Sequence, residues 1–379
     1  MRRRGSALAV FLAAVVGVLI GAALVWGLLG RGSTRGGAIP VRPSLGLPPP
    51  VSKESQDAIV RAVAKVGPAV VNIRTVYAPP RESPRDRIMR EMGIPSRPFP
   101  REGEGSGIII DGQRGYVLTN AHVVKGASQV RVTLPDKRSF EARVVGGDPL
   151  SEVAVLQIKG SDLPTATLAS AEKLPIGSWV IAIGNPFGFE NSVTVGVLSA
   201  KDRRISDPSG VSLQDLLQTD ASINPGNSGG ALVDLAGDVV GIPTAMIPQA
   251  QGMGFAVSID SAREVFEKLI QTGRMPWLGV AHRLLTPEEA KSLKVPPGKG
   301  ALVLEAVRGG PAAEAGVRPM DVILRLSGRA VDSDAALQKA VRAKNAGDRV
   351  DLDIWRDGRE IKLSVILGAV PMTLGPRSP

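Results

Sequence analysis

Residues 223–232 read INPGNSGGAL, two apolar flanks around a knot of Asn, Pro, Gly and Ser with one hydroxyl, Ser228. An ordinary turn between strands uses the same residue types, because Gly, Asn and Pro supply tight-turn backbone angles. A seryl hydroxyl is nucleophilic near neutral pH only with a base beside it. The chain holds two imidazoles, His122 and His282. His122 lies in GYVLTNAHVV, directly after a strand-like run and the polar pair Thr119-Asn120. Between it and Ser228 comes GGDPLSEVAVLQI, where an acidic residue at the head of a strand can orient an imidazole. Base, acid and nucleophile in that chain order form one of the known arrangements for acyl transfer. Glycines beside the serine let the N–H groups of Gly226 and Ser228 converge on a developing oxyanion.

These residues need rigid elements behind them. From about 54 to 258 the chain is a series of short β-like runs divided by turn signals, among them GIIID, QVRVTL, SWVIAIG, SVTVGVLS, VVGIPT and GFAVS. Many short strands of this kind predict a sandwich or barrel. One helix is predicted over 54–66. A second is predicted over 261–273, with Ser261 as N-cap and Gly273 as the stop. GEGSG, 103–107, opens a strand-like run and not a helix, so it does not read as a nucleotide loop.

Composition excludes several chemistries. With no cysteine and two histidines, a Cys/His zinc site and a thiol nucleophile have no ligands to draw on. Aromatic residues make up 3% of the chain, too few for stacking platforms on single-stranded nucleic acid. The net charge of +10 is spread along the chain and reads as solvated surface with some attraction to anionic lipid. Residues 5–30 carry no charge and follow Arg2-Arg3-Arg4. As a helix they would span about 39 Å, enough to cross a bilayer and leave the rest of the chain outside the cytoplasm. A cleaved signal peptide is the alternative. Residues 31–53, rich in Gly and Pro up to residue 50, read as a tether.

TNAHVV, GDPLSEVAVLQI, AIGNPFG and QTDASINPGNSGGALV together resemble the high-temperature-requirement (HtrA, Do-like) family of trypsin-like serine proteases, over about residues 54–368. The resemblance implies a mainly β chain: a double β-barrel protease domain over 54–273, an α+β PDZ domain over 274–370 and a tail over 371–379. It implies His122 as general base, Ser228 as nucleophile and Gly226, Asn227 and Ser228 as the oxyanion turn. The family's usual triad aspartate is here Glu152, one methylene longer, while Asp148 takes the neighbouring turn position. Ile242, Pro243 and Thr244 correspond to the substrate groove, with Pro243 where the family usually has Asn. Ser222 stands where Ala is usual, and Met320 where the second domain usually has Gly.

WLGV, 277–280, matches the family's carboxylate loop, making Leu278, Gly279 and Val280 the expected holders of a peptide C-terminus taken up as an added strand. His282 falls on the adjoining strand, away from the chemistry. Arg203, in a loop expected over about 200–215, matches the family's regulatory arginine. The resemblance further implies a homotrimer, no cofactor, no nucleic acid partner and a membrane-anchored extracytoplasmic endopeptidase that cuts unfolded or damaged proteins. A second reading is a PDZ-bearing binding or chaperone-like protein whose proteolysis is weakened by Glu152.

Overall fold

Short strands with a buried face need a partner surface, and here they supply it by closing on themselves. The computed structural model describes residues 53–78, 92, 101–186, 190–206, 212–224, 226–246, 252–296 and 300–372. The expected anchor, the tether up to residue 52 and the residues after 372 lie outside this set. Among the described residues no helix is long and apolar enough to cross a membrane.

The first barrel is built from β1 (Val70–Tyr77), β2 (Arg101–Asp111), β3 (Tyr116–Thr119), β4 (Gln129–Thr133), β5 (Ser139–Asp148) and β6 (Val153–Ile158). It closes in the order β1-β2-β3-β6-β5-β4. The second uses β7 (Trp179–Gly184), β8 (Ser192–Ser206), β9 (Ser212–Thr219), β10 (Ala231–Val233), β11 (Val239–Met246) and β12 (Gly254–Ser258). Its order is β10-β11-β12-β9-β8-β7. Strand alternation explains why SWVIAIG is apolar almost throughout. Val180 and Ala182 face the interior of the second barrel with Leu198, Leu217 and Leu232, while Ile181 and Ile183 join the cluster that fills the first. Of the segment expected as a loop over about 200–215, the described residues 200–206 and 212–215 lie in strands β8 and β9, with Arg203 opposite Leu216.

Among the described residues, three α-helices belong to this half: α1 (Lys53–Val66), α2 (Ala121–Val124) and α3 (Ile259–Thr272). Helix α3 begins earlier than the sequence predicts. Ile259 is fully buried, and the hydroxyl of Ser258 accepts from Asp260 N, so Ser258 and not Ser261 is the N-cap. Ser261 donates instead to Asp215 Oδ2 at 3.2 Å. Gly273 ends the helix at φ 70°, donating to Leu269 O.

The second half starts with β13 (Pro276–Trp277). It continues through β14 (Val280–Leu284), α4 (Pro287–Ser292), β15 (Ala301–Ala306), α5 (Pro311–Glu314), β16 (Val322–Leu326) and β17 (Arg329–Ala330). It ends with α6 (Asp334–Arg342), β18 (Arg349–Arg356), β19 (Arg359–Ile366) and β20 (Gly368–Ala369). The sheet runs β14-β15-β16-β18-β19 with β17 on β16, over a core of Val303, Ile323, Leu326, Leu337, Leu352 and Ile354. Met320 adopts φ 72° and stays exposed, so the turn keeps its left-handed residue without the usual glycine, at about 1–2 kcal/mol of strain.

β13 and β20 pair with each other, so the chain enters and leaves this half side by side. Val370, just past β20, donates to Met275 O and belongs to the core cluster of the first barrel. The two halves also meet at the end of α6. Lys268 Nζ on α3 donates to Arg342 O at 2.6 Å and to Lys344 O, and Arg342 Nη2 stands 3.9 Å from the buried Asp148 Oδ2.

Candidate active site

The two barrels are pinned together by polar groups buried among apolar strands. Ser106 on β2 is fully buried, and each of its polar groups is used. Its N–H donates to Ser228 O at 2.9 Å, its carbonyl accepts Thr119 Oγ1 at 2.7 Å, and its hydroxyl donates to Gly226 O at 2.5 Å. The same hydroxyl accepts Asn185 N from the end of β7 at 2.8 Å. Asn72 on β1 donates to Asn185 O at 2.9 Å. The serine turn is therefore tied to the first barrel directly.

Within the turn, Gly229 adopts φ 82°, and a Cβ there would lie 2.4 Å from both Ser106 O and Thr119 Oγ1 and 3.1 Å from Asn120 N. Only glycine lets the backbone beside Ser228 abut the residues that lead to His122. Gly226, at φ 114°, packs as closely on Pro186. Asn227 N–H donates to Asn224 O at 3.2 Å, and its side chain spans the turn, accepting from Asn224 N and donating to Ser222 O. The N–H groups of Gly226 and Ser228 meet no acceptor among the described residues. Gly229 N donates to Pro243 O at 2.9 Å, which fastens β11 beside the turn. On that strand Ile242 is fully buried, and the hydroxyl of Thr244 is buried without a protein partner.

His122 sits in the short helix α2 with its side chain 47% exposed. Its Nδ1 lies 2.6 Å from Glu152 Oε2, and the same oxygen accepts His122 N at 3.3 Å. Glu152 closes the Asp148–Glu152 turn at φ 56°. Asp148 organises that turn, accepting Leu150 N at 3.1 Å and Ser151 Oγ at 2.7 Å. With Nδ1–H held by the carboxylate, Nε2 carries the free lone pair a general base needs.

The remaining sequence candidates lie elsewhere. Leu278 and Gly279 head β14, their carbonyls accepting Ala312 N and Val307 N at 2.9 Å, and Gly279 adopts φ 82°. Val280 begins β14 itself, and His282 is its third residue. Arg203 is exposed and donates to Gln218 Oε1 at 2.9 Å. Among the described residues no cluster of His, Asp or Glu could hold a metal ion. Sequence alone assigned no role to Ser106 or Asn185 and marked Asn120 only as half of the polar pair before His122; the one signal for Ser106 is a small polar residue just ahead of the apolar run GIIID.

A double barrel carrying a carboxylate–imidazole pair and a glycine-bound serine at its junction defines the trypsin-like serine peptidases. The pattern of the trypsin-like peptidase domain matches residues 105–242, and that of the PDZ domain residues 276–367. A Synechocystis sp. protein named as serine protease HhoB is 41% identical over 338 residues, covering 84% of this chain and 80% of its own. A DegP-like periplasmic serine endoprotease of Ectopseudomonas mendocina is 39% identical, covering 82% of this chain and 70% of its own. The solved HtrA-type protease AlgW with decapeptide is 36% identical at TM-score 0.63, covering 82% of this chain and 98% of that one. The chain belongs to the HtrA, DegP-like family of serine endoproteases.

Proposed function

We propose that His122, Glu152 and Ser228 are the catalytic triad of an extracytoplasmic endopeptidase that cuts unfolded or damaged proteins. The observation that carries this reading is the 2.6 Å contact between His122 Nδ1 and Glu152 Oε2, beside a serine turn built into the same joint. Glu152 fixes the imidazole tautomer, and Nε2 takes the Ser228 proton as Oγ attacks the peptide carbonyl. The N–H groups of Gly226 and Ser228 receive the developing oxyanion, while Asn227 holds the turn that presents them. His122 returns the proton to the leaving amine, and water then releases the acyl group.

Substrate is expected to lie along Ile242, Pro243 and Thr244. Pro243 has no N–H to give a bound peptide, which favours contacts through its neighbours. The PDZ domain takes C-terminal peptides beside β14, with their carboxylate on Leu278, Gly279 and Val280, and thereby sets activity through the β8–β9 hairpin that bears Arg203. The uncharged run 5–30 anchors the chain, and the periplasmic naming of relatives supports an extracytoplasmic location. The family likeness supports a homotrimer.

The test is fluorophosphonate labelling of the full chain in detergent, read by intact mass, with and without a hydrophobic C-terminal peptide. One adduct is expected, absent in Ser228→Ala. No adduct in either condition, from a protein that still binds the peptide, would favour the binding or chaperone-like reading instead.

A further inference from the structure

Asn120 holds the N-cap position of α2, at φ −77° and ψ 148°, yet its side chain makes no capping bond to its own helix. Asparagine is among the strongest capping residues, so the amide is committed elsewhere. Its Nδ2 donates across the site to the carbonyl of Glu152 at 2.9 Å, and Asn120 is fully buried. A carbonyl partner fixes the sense of the amide, since only the nitrogen can donate to it. The vacant capping duty passes to Glu152, whose Oε2 accepts His122 N, the second residue of α2, at 3.3 Å. The two loops thus exchange bonds: the amide of one holds the backbone of the other, and the carboxylate of the second caps the helix of the first.

This exchange bears on why a glutamate can work here. Glu152 is left-handed, at φ 56°. That conformation is sparse for residues with a Cβ, and glutamate lacks the short polar side chain by which Asn and Asp stabilise it locally. A hold on the carbonyl of residue 152 restrains the peptide plane that follows its Cα, and from the left-handed backbone the longer side chain brings Oε2 to 2.6 Å from Nδ1. Released, the residue would relax toward the right-handed region and carry its carboxylate away from the imidazole.

We infer that Asn120 is a positioning residue of the catalytic machinery, acting on His122 through the backbone of Glu152. The inference rests on the triad assigned above. Its test is a double-mutant cycle on the full chain, with Asn120→Ala and Glu152→Gln alone and together, reading kcat and KM on a short peptide substrate. Glu152→Gln is expected to lower kcat by about 10⁴, as loss of the acid's charge does in such triads. Asn120→Ala is expected to lower kcat by on the order of 10², the scale of a 1 Å misplacement, with KM unchanged. In the Glu152→Gln background the same change should add less than a few-fold, because its target has already been disabled.

Equal losses in both backgrounds would show that Asn120 acts independently of Glu152 and overturn the inference, as would an Asn120→Ala enzyme of full kcat. An undiminished Glu152→Gln enzyme would instead overturn the triad itself. Asn120→Asp, which keeps the volume and removes the donor, gives the same reading if the alanine variant does not fold.

Discussion

Glu152 brings Oε2 to 2.6 Å from His122 Nδ1 while its own backbone is left-handed, at φ 56°. Ser106 shows how much one small side chain holds at this joint. Its hydroxyl serves Gly226 O and Asn185 N together, so Ser106→Ala leaves a buried acceptor and a buried donor unpaired. We expect a loss of about 1–3 kcal/mol in urea unfolding, with a parallel drop in the fluorophosphonate labelling rate as the oxyanion turn loosens. A variant as stable and as reactive as the parent would show that water replaces both bonds. The proposed base and nucleophile, His122 and Ser228, stand out in the sequence because that chemistry requires rare or glycine-flanked residues in a set order. Ser106, Asn120 and the backbone of Glu152 do not. Ser106 reaches its partner Gly226 across 120 residues, and no local pattern encodes a contact of that span.

At the scale of elements, spacing and alternation pointed to a sandwich or barrel, the family resemblance decided for two barrels, and the ends of helices were less legible. Helix α3 shows the reason: both Ser258 and Ser261 suit an N-cap by type, and burial of Ile259 decides between them. In the PDZ half, α4 is closed by a reciprocal cap in which Thr286 accepts Glu289 N while Glu289 accepts Thr286 N. Arg283 on β14 adds a second hold, its Nη1 donating to Glu289 Oε2 at 2.7 Å. The Arg283 hydrogen bond, followed by that from Thr286 N, lowers the Glu289 pKa from 4.5 to about 2. A carboxylate depressed in the folded state stabilises above its unfolded pKa, and that support is lost as pH falls through the folded value. Replacing Glu289 with Gln should therefore flatten the fall in PDZ unfolding midpoint between about pH 4.5 and about pH 2, measured at low salt because the pair is exposed. An unchanged slope would assign the acid limb to other carboxylates.

For the whole molecule, the informative contact is the end of α6 against the protease half. That helix lies beside β14, where the C-terminal peptide is proposed to sit, and its last carbonyl, Arg342 O, and that of Lys344 just beyond it accept from Lys268 on α3. Partial burial lowers the Lys268 pKa, with Asp348 acting in the opposite sense. A cleft of about 340 Å³ is lined on the protease side by Glu172, Asp202, Asp215, Asp260 and Glu264 with one cation, Lys201, and on the PDZ side by Lys339 and Arg342. Charges so arranged favour one seating of the PDZ half over others. Lys268→Met should weaken stimulation of peptide cleavage by a PDZ ligand while leaving ligand affinity and unstimulated cleavage within a few-fold. Stimulation of full size would place the coupling elsewhere, with the Arg203 hairpin the next candidate.

The paired strands β13 and β20 carry a consequence for biosynthesis. They bring Met372 back onto the first barrel, where a Cβ on Gly147 would lie 2.8 Å from its sulfur, one residue from the turn that ends in Glu152. A nascent chain has made every described strand of both barrels, and every residue of the proposed triad, about a hundred codons before it makes this one. Until Met372 is made, the Gly147 surface beside the turn that ends in Glu152 lacks this contact. The barrel that bears His122 and Glu152 therefore gains its contacts with Val370 and Met372 last, and a ribosome stalled within the PDZ half holds a protease domain without them.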